Sequence, residues 1–462
     1  MNLIKKVFCG LFIMTFLIIA IQPVFAETYL PKETIIRDIN NSGINWKMAE
    51  GETIVAGMLS DTNIWGLEDA GMIELFEEIT GIRVIMDIFN ETELRQKTHV
   101  DLLSDTGIFD LIMVDPMYIG TFAQANSIEK LDNYFNDEEL CNKDWFKWPE
   151  DFPLGFREMG MYNNNQYGIP MSISGTLFYY NKKEFENAGL DPNKPPKTFE
   201  EVENYANILN NPEGNLAGIA LRGLRGGGLN VFIWSSFLKS YGGQWFNEDW
   251  EPMLNSEEAI KSIEVYSRLN RNYGPPGVTD WEWSKIMNAM ANGTIAMTID
   301  APTFVMTIED PEKSNTLGEW SYSTQPKGPN GITMVPYSWY LTINSSSKHK
   351  KAAWLFSQFI LSEPVQTAIG GPLVATGRLS VLENKIWEEK FEWVTDWRTA
   401  LLENTKYADP DARPRIPEWA QIGDVMGIEL QAAISGSKTP KEAAEAANKK
   451  IREIMDNAGY YK

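Results

Sequence analysis

From Thr53 onward the chain switches between two periodicities. Thr53 to Leu59 reads as a strand. Met72, Leu75, Phe76 and Ile79 recur at helical spacing, and Gly81 ends that helix. Ile82, Val84, Met86 and Ile88 alternate with Arg83 and Asp87, which is strand periodicity. A polar helical stretch starts at Glu91. Leu111-Ile112-Met113-Val114 follows, short and wholly apolar, as a strand buried on both faces requires. The order β-α-β-α-β predicts a parallel, right-handed, doubly wound sheet. Ligands of such sheets gather beyond the carboxyl ends of the strands, where Asp61 and Asp115 fall.

A second unit begins after Tyr167-Gly168-Ile169-Pro170. Thr198 with Glu201 predicts a capping box behind Pro195-Pro196, and Val202, Tyr205, Ala206 and Leu209 form the buried stripe of its helix. Ser256 heads another helix with Ala259, Ile263 and Tyr266 on one face. An apolar strand returns at Trp339 to Ile343, with a helix from about Lys350 to Leu361. The last helix is capped by Thr439, with Pro440 in its first turn and Glu442 at the box position. No repeat or low-complexity linker interrupts the chain, so two lobes joined by several crossings are expected.

Residues 1–26 carry a different pattern. Lys5 and Lys6 precede an apolar run from Leu11 to Ile21, and Val24-Phe25-Ala26 offers small residues at the positions a signal peptidase reads. A removed signal peptide is expected, with an exported, periplasmic product. Cys9 precedes the apolar run and is not placed as a lipidation site, so no lipid anchor is expected. Its removal leaves Cys141 alone, a small buried hydrophobe.

Composition narrows the chemistry. Among 462 residues, 41 Lys and Arg face 63 Asp and Glu, a net charge of -22 that repels phosphate backbones and argues against nucleic acid. With 2 histidines, far apart as His99 and His349, and no HExxH, zinc chemistry has no footing, and no cofactor or metal is expected. Gly226-Gly227-Gly228 lacks the context of a phosphate loop and reads as a flexible turn. No GxSxG elbow supports a serine triad. A carboxylate pair for glycoside hydrolysis stays open, because so many acids always contain some suitable pair.

Aromatic residues are the positive signal: 16 Trp, 17 Tyr and 22 Phe. A flat ring stacks on the C–H face of a sugar while carboxylates, amides and Arg engage its hydroxyls. Trp281 and Trp283 flank a loop after Gly274-Pro275-Pro276-Gly277. Two residues apart in extended chain they point oppositely, so one of them is expected to face a ligand.

Several blocks in order resemble the family 1 extracellular solute-binding proteins of ABC transporters. They are Tyr167-Gly168-Ile169-Pro170, then Leu177 to Lys182, Ala188-Gly189-Leu190 and Pro196 to Glu201. Asn292 to Met297 follows, then Ala353 to Phe359 with Ser362, Glu363 and Gln366. The closing blocks are Pro414 to Trp419, Ser435-Gly436 and Thr439 to Ala443. Residues 27–52 have no counterpart and are expected to form a surface extension.

The resemblance implies an α/β protein of the periplasmic-binding-protein type II fold, two doubly wound lobes joined by a multi-crossing hinge. It implies an N-terminal lobe of residues 53–168 plus 340–376 and a C-terminal lobe of 169–335 plus 380–462. Crossings are placed near Tyr167 to Ile173, Val335 to Tyr340 and Val374 to Ser380. The implied activity is capture of a sugar, polyol or short oligosaccharide, without catalysis, and delivery to transmembrane permease subunits by a monomer. The alternatives are a secreted glycoside hydrolase and a receptor for an anionic or metal-containing solute. Carried over position by position, Asp61 and Asp115 would accept from hydroxyls, with Ser174 on the first crossing, Asn230 ahead of a helix and Asp300 after a strand. Trp283, Trp339 and Trp419 would be stacking platforms and Arg378 the donor. A single Arg among acids favours a neutral ligand.

Overall fold

The computed structural model describes residues 28–371 and 376–461. The leader assigned to 1–26 and the start of the third crossing, at Val374, lie outside the described residues. Two sheets are built from β1 (Thr53–Leu59), β2 (Arg83–Phe89), β3 (Leu111–Val114), β4 (Ile169–Pro170), β5 (Leu177–Asn181), β6 (Met297–Asp300), β7 (Trp320–Ser323) and β8 (Tyr340–Ile343).

The first sheet has the order β2-β1-β3-β8-β4. β1 runs parallel to β2 from Thr53 opposite Arg83 to Leu59 opposite Phe89, and parallel to β3 through Ala56 and Gly57. The expected all-parallel sheet therefore holds for its first three strands. β8 then enters antiparallel, Tyr340 opposite Val114. It returns from the other lobe rather than through a local crossover helix, so the rule that fixes parallel direction does not bind it. Gly57 lies under the Phe109 ring, where a Cβ would come within 3.2 Å of the ring carbons.

The second sheet, β7-β5-β6, is antiparallel, with Trp320 opposite Asn181 and Tyr180 opposite Met297. Residues 217–220 extend it beside β6 in parallel, through Ala217–Ile295 and Ala220–Thr298 bridges. All five residues of β5 are buried, which is why its sequence is aromatic on both faces.

Two groups of core clusters divide the molecule. One centres on Ile54, Phe76, Leu111, Trp354 and Phe356, with Phe122 and Tyr340 beneath β3. The other centres on Phe178, Trp234, Tyr266, Met297, Trp397 and Ile451. Tyr337 packs against both. The segments that pass between them pair with each other: Ser172 bridges Thr376, and Ser174 lies opposite Tyr337.

The described part of the segment 27–52 is not a surface extension. The helix Lys32–Asn40 buries Ile35 and Ile39 fully, and Ile44 and Trp46 join the first-lobe core. Trp46 meets Trp145 edge-on at 5.7 Å and donates from its indole nitrogen to Ser42 Oγ at 2.9 Å. Ile35 and Ile39, four apart, already make a helical stripe. The Thr439 capping box forms reciprocally, with Thr439 N–H on Glu442 Oε2 at 2.8 Å. At Thr198 only half forms: Thr198 Oγ1 accepts from Glu201 N–H, but Glu201 accepts from Lys197 N–H instead.

Candidate functional site

Asp115 follows β3 and is 1% exposed. Its carboxylate caps the turn Pro116–Tyr118 by accepting from Met117 N–H at 2.9 Å. It also accepts from Arg95 Nε at 3.1 Å and pairs with Arg95 Nη2. The Tyr337 hydroxyl donates to it at 3.2 Å. Arg95 comes from the helix Glu91–Ser104, also pairs with Glu91, and lies 5.5 Å from the Trp339 ring centre. Burial alone would lower the Arg95 guanidinium. The Asp115 charge, with Tyr337 and Glu91, outweighs that and holds it above its ordinary value.

The second lobe mirrors this arrangement at the end of β6. Asp300, fully buried, forms a bidentate pair with Arg222, Nε to Oδ2 at 2.9 Å. Arg222 Nη1 donates to Gly228 O at 2.9 Å. Here too the carboxylate overrides the effect of burial and the guanidinium is raised. Gly226 to Gly228 thus serve a packed turn. Gly227 abuts Gly423, and a Cβ on Gly427 would lie 2.4 Å from Gly226 N, so only glycines allow the approach.

Between the two pairs stands Arg413, which reaches over the Phe232 ring at 5.0 Å and the Tyr337 ring at 5.9 Å. Phe232 also underlies Arg222 at 5.1 Å and meets Tyr337 edge-on at 6.0 Å. Burial lowers the Arg413 guanidinium, with Asp115 opposing, and burial pushes the Tyr337 phenol well up. Arginines, aspartates and rings from both lobes therefore form one polar cluster with aromatic walls, the composition of a site that binds a small hydroxylated molecule.

Of the residues nominated from sequence, Asp115, Asp300 and Trp339 belong to this cluster, and Ser174 lies beside it, opposite Tyr337. Asp61 sits where expected, after β1, and caps the helix Thr62–Asp69 by accepting from Ile64 N–H at 3.1 Å. Its carboxyl, set deep although the residue keeps some accessible surface, is pushed up to about 6 by burial against two backbone hydrogen bonds. Trp283 opens the helix Trp283–Ala291 rather than lying in extended chain, because Glu282 caps that helix through Ser284 and Lys285 N–H. It is 42% exposed, while Trp281 packs inward against both second-lobe clusters.

Other nominations serve the fold. Asn230 bridges Gly226 N–H and Gly427 O with its two side-chain atoms. Arg378 has each nitrogen engaged, with Leu361 O, Asp151 Oδ2 at 2.7 Å and Phe146 O at 3.0 Å, above the Phe146 and Phe152 rings. The ring of Trp419 is a core residue, edge-on to Trp245 at 5.0 Å. The expectation of a single arginine fails accordingly. Arg378 is engaged within the fold, and the cluster holds Arg95, Arg222 and Arg413 instead. Their only sequence signal was position: Arg413 precedes the Pro414 to Trp419 block, and Arg95 lies one helical turn beyond Glu91.

Comparison with known proteins identifies the family and the fold. A family model described as bacterial extracellular solute-binding protein matches residues 66–367. The chain is 26% identical over 394 residues to a mannitol-binding protein of Pseudomonas aeruginosa, covering 81% of this chain and 87% of the relative. Among solved structures it resembles a solute-binding protein of Agrobacterium radiobacter K84 in complex with ribitol (TM-score 0.75, 23% identity, 88% of this chain and 99% of that one). It also resembles one of Agrobacterium vitis S4 with bound D-mannitol (TM-score 0.74, 24% identity, 89% and 100%). The fold is thus the two-lobed type II arrangement of periplasmic binding proteins, and the family binds solutes rather than cleaving them. The protein belongs to the bacterial extracellular solute-binding proteins of ABC transporters.

Proposed function

We propose that the protein captures a sugar, polyol or short oligosaccharide outside the cytoplasm and delivers it to the permease of an ABC importer. One observation carries the choice of ligand class: the Asp115–Tyr337–Arg413 cluster joins hydroxyl acceptors, donors and ring faces from both lobes. The ligands of the relatives, mannitol and ribitol among them, support the same class. In the open state the ligand rests on one lobe. Closure about the segments near 172–174, 335–340 and 376–380 then buries it against the other. Buried polar groups matched to particular hydroxyls reject analogues that lack them. A micromolar affinity, roughly -8 kcal/mol, is within reach of such contacts.

The mature form is expected to begin near Glu27 after removal of the leader, without a lipid anchor, and to act as a monomer with no nucleic-acid partner. Among the described residues no helix is long and apolar enough to cross a membrane. The test is a thermal-unfolding screen over mannitol, ribitol, erythritol, tagatose and short oligosaccharides, since binding the native state raises the melting temperature. At least one should raise it, and the recovered ligand should be chemically unchanged. A chain that responds to none of them, or that returns cleaved product, would contradict this reading.

A further inference from the structure

The polar groups between the lobes do not all find partners within the chain. Arg95 and Arg222 each hold a carboxylate. Arg413 is 5% exposed, yet its Nη1 is buried with no hydrogen-bond partner, and among the described residues no carboxylate pairs with it. The indole nitrogen of Trp419, in a residue 1% exposed, likewise has no acceptor. A buried cation and a buried N–H left in this state oppose folding strongly.

Arg413 stands at the boundary between lobes, whereas Trp419 is packed in the second-lobe core. Arg413 lies over Tyr337, whose hydroxyl reaches Asp115 of the first lobe. Gly423 abuts Gly227, and the Met117 methyl of the first lobe comes within 3.8 Å of a Cβ placed on Gly227. Asp115 and Met117 belong to one hydrogen-bonded turn. Arg413 is therefore the unpartnered donor that faces this first-lobe turn from the second-lobe side.

We propose that Arg413 forms a donor subsite for two neighbouring oxygens of the captured molecule, as a carboxylate or a vicinal diol presents them. The proposal rests on the capture reading and names the part of the cleft that selects the ligand. A guanidinium fork matches two oxygens in one plane, and the Phe232 ring beneath it offers a wall for the ligand's carbon chain. A chain that keeps an unfavourable buried donor is most simply completed by a guest that satisfies it.

The experiment compares the full mature chain with Arg413→Met and Arg413→Lys. Calorimetric titration uses D-mannitol, ribitol, D-tagatose, D-gluconate and D-glucuronate, and thermal unfolding is followed without ligand. Arg413→Met should weaken the responding probe by about a hundredfold while leaving the ligand-free midpoint unchanged or raised, because it removes a buried charge that has no ion-pair partner. Arg413→Lys keeps the charge but not the fork, and should lose about tenfold without that gain in midpoint. A preference for gluconate or glucuronate assigns the subsite to a carboxylate, and a preference for mannitol or ribitol assigns it to a diol. Wild-type affinity in Arg413→Met, or a lowered ligand-free midpoint with affinity intact, would overturn the subsite while leaving capture standing. Failure of the wild type to bind any probe would instead remove the capture reading itself.

Discussion

Arg378 and Arg413 are both buried, both lie over two aromatic rings, and both have guanidinium groups lowered by burial. Their surroundings differ in one respect. Arg378 sits inside the first lobe with Asp151 and backbone carbonyls on every nitrogen. Arg413 sits between the lobes with Nη1 unpartnered. Residue type, burial and ring contacts thus do not distinguish a structural arginine from a binding one. What distinguishes them is whether the folded chain satisfies the donors itself.

The largest effect that would sharpen this contrast is at Arg378. Asp151 accepts not only from Arg378 but also from Ser380 N–H and Oγ at 2.7 Å, so it ties the third crossing to the first lobe. Arg378→Met leaves that carboxylate buried without its counter-charge, a loss of about 3–5 kcal/mol for a broken buried pair. Urea unfolding should show it, while the molecules that stay folded keep wild-type ligand affinity. A stable variant with weakened binding would reverse the assignment of the two arginines.

The sequence could not supply this contrast, and the reason is physical. The strands β1 to β3, the helix Met72–Thr80 and the cap at Thr439 were legible because periodicity and capping are local. So was the placement of Asp61 and Asp115 after parallel strands, which topology fixes. Side-chain partners come from far along the chain: Arg378 meets Asp151 across 227 residues, and Arg222 meets Asp300 across 78. Neither separation carries a pattern. The antiparallel entry of β8 was hidden for the same cause, since a four-residue apolar strand does not announce its direction. The helix Lys32–Asn40 carries a legible Ile35–Ile39 stripe but lies outside the resembling blocks.

A smaller effect is expected at Asp61, where burial of an acid is likewise incompletely offset. Its carboxyl is raised from an ordinary 3.8 to about 6, burial being the main cause. The folded state then binds a proton that the unfolded state has released between those values. This contribution to stability is complete below about pH 4 and is lost as pH rises to about 6 and beyond. The shift sets an upper limit of about 3 kcal/mol, and partial exposure reduces it. Asp61→Asn keeps a competent cap, so the variant should gain about 1–2 kcal/mol over wild type at pH 7 and lose the difference near pH 4. Equal slopes of stability against pH in the two proteins would show that Asp61 is solvated like any surface acid.

The smallest stability change is expected at Trp283, and it separates the two tryptophan classes as Arg378 and Arg413 separate the arginines. Trp283 stands 42% exposed at the first position of its helix, while Trp419 is 1% exposed and edge-on to Trp245. Removing an exposed ring leaves no cavity, so Trp283→Ala should change the unfolding free energy by about 0.5 kcal/mol or less. Glu282 would still cap the helix, because its hydrogen bonds go to the backbone of Ser284 and Lys285. A ring this exposed is available to cover a ligand, so affinity in the same variant should fall about tenfold. Titration and urea unfolding on one preparation decide the matter. Intact affinity would leave Trp339, beside Arg95 and Asp115, as the platform, whereas a loss of several kcal/mol would show that Trp283 packs as Trp419 does.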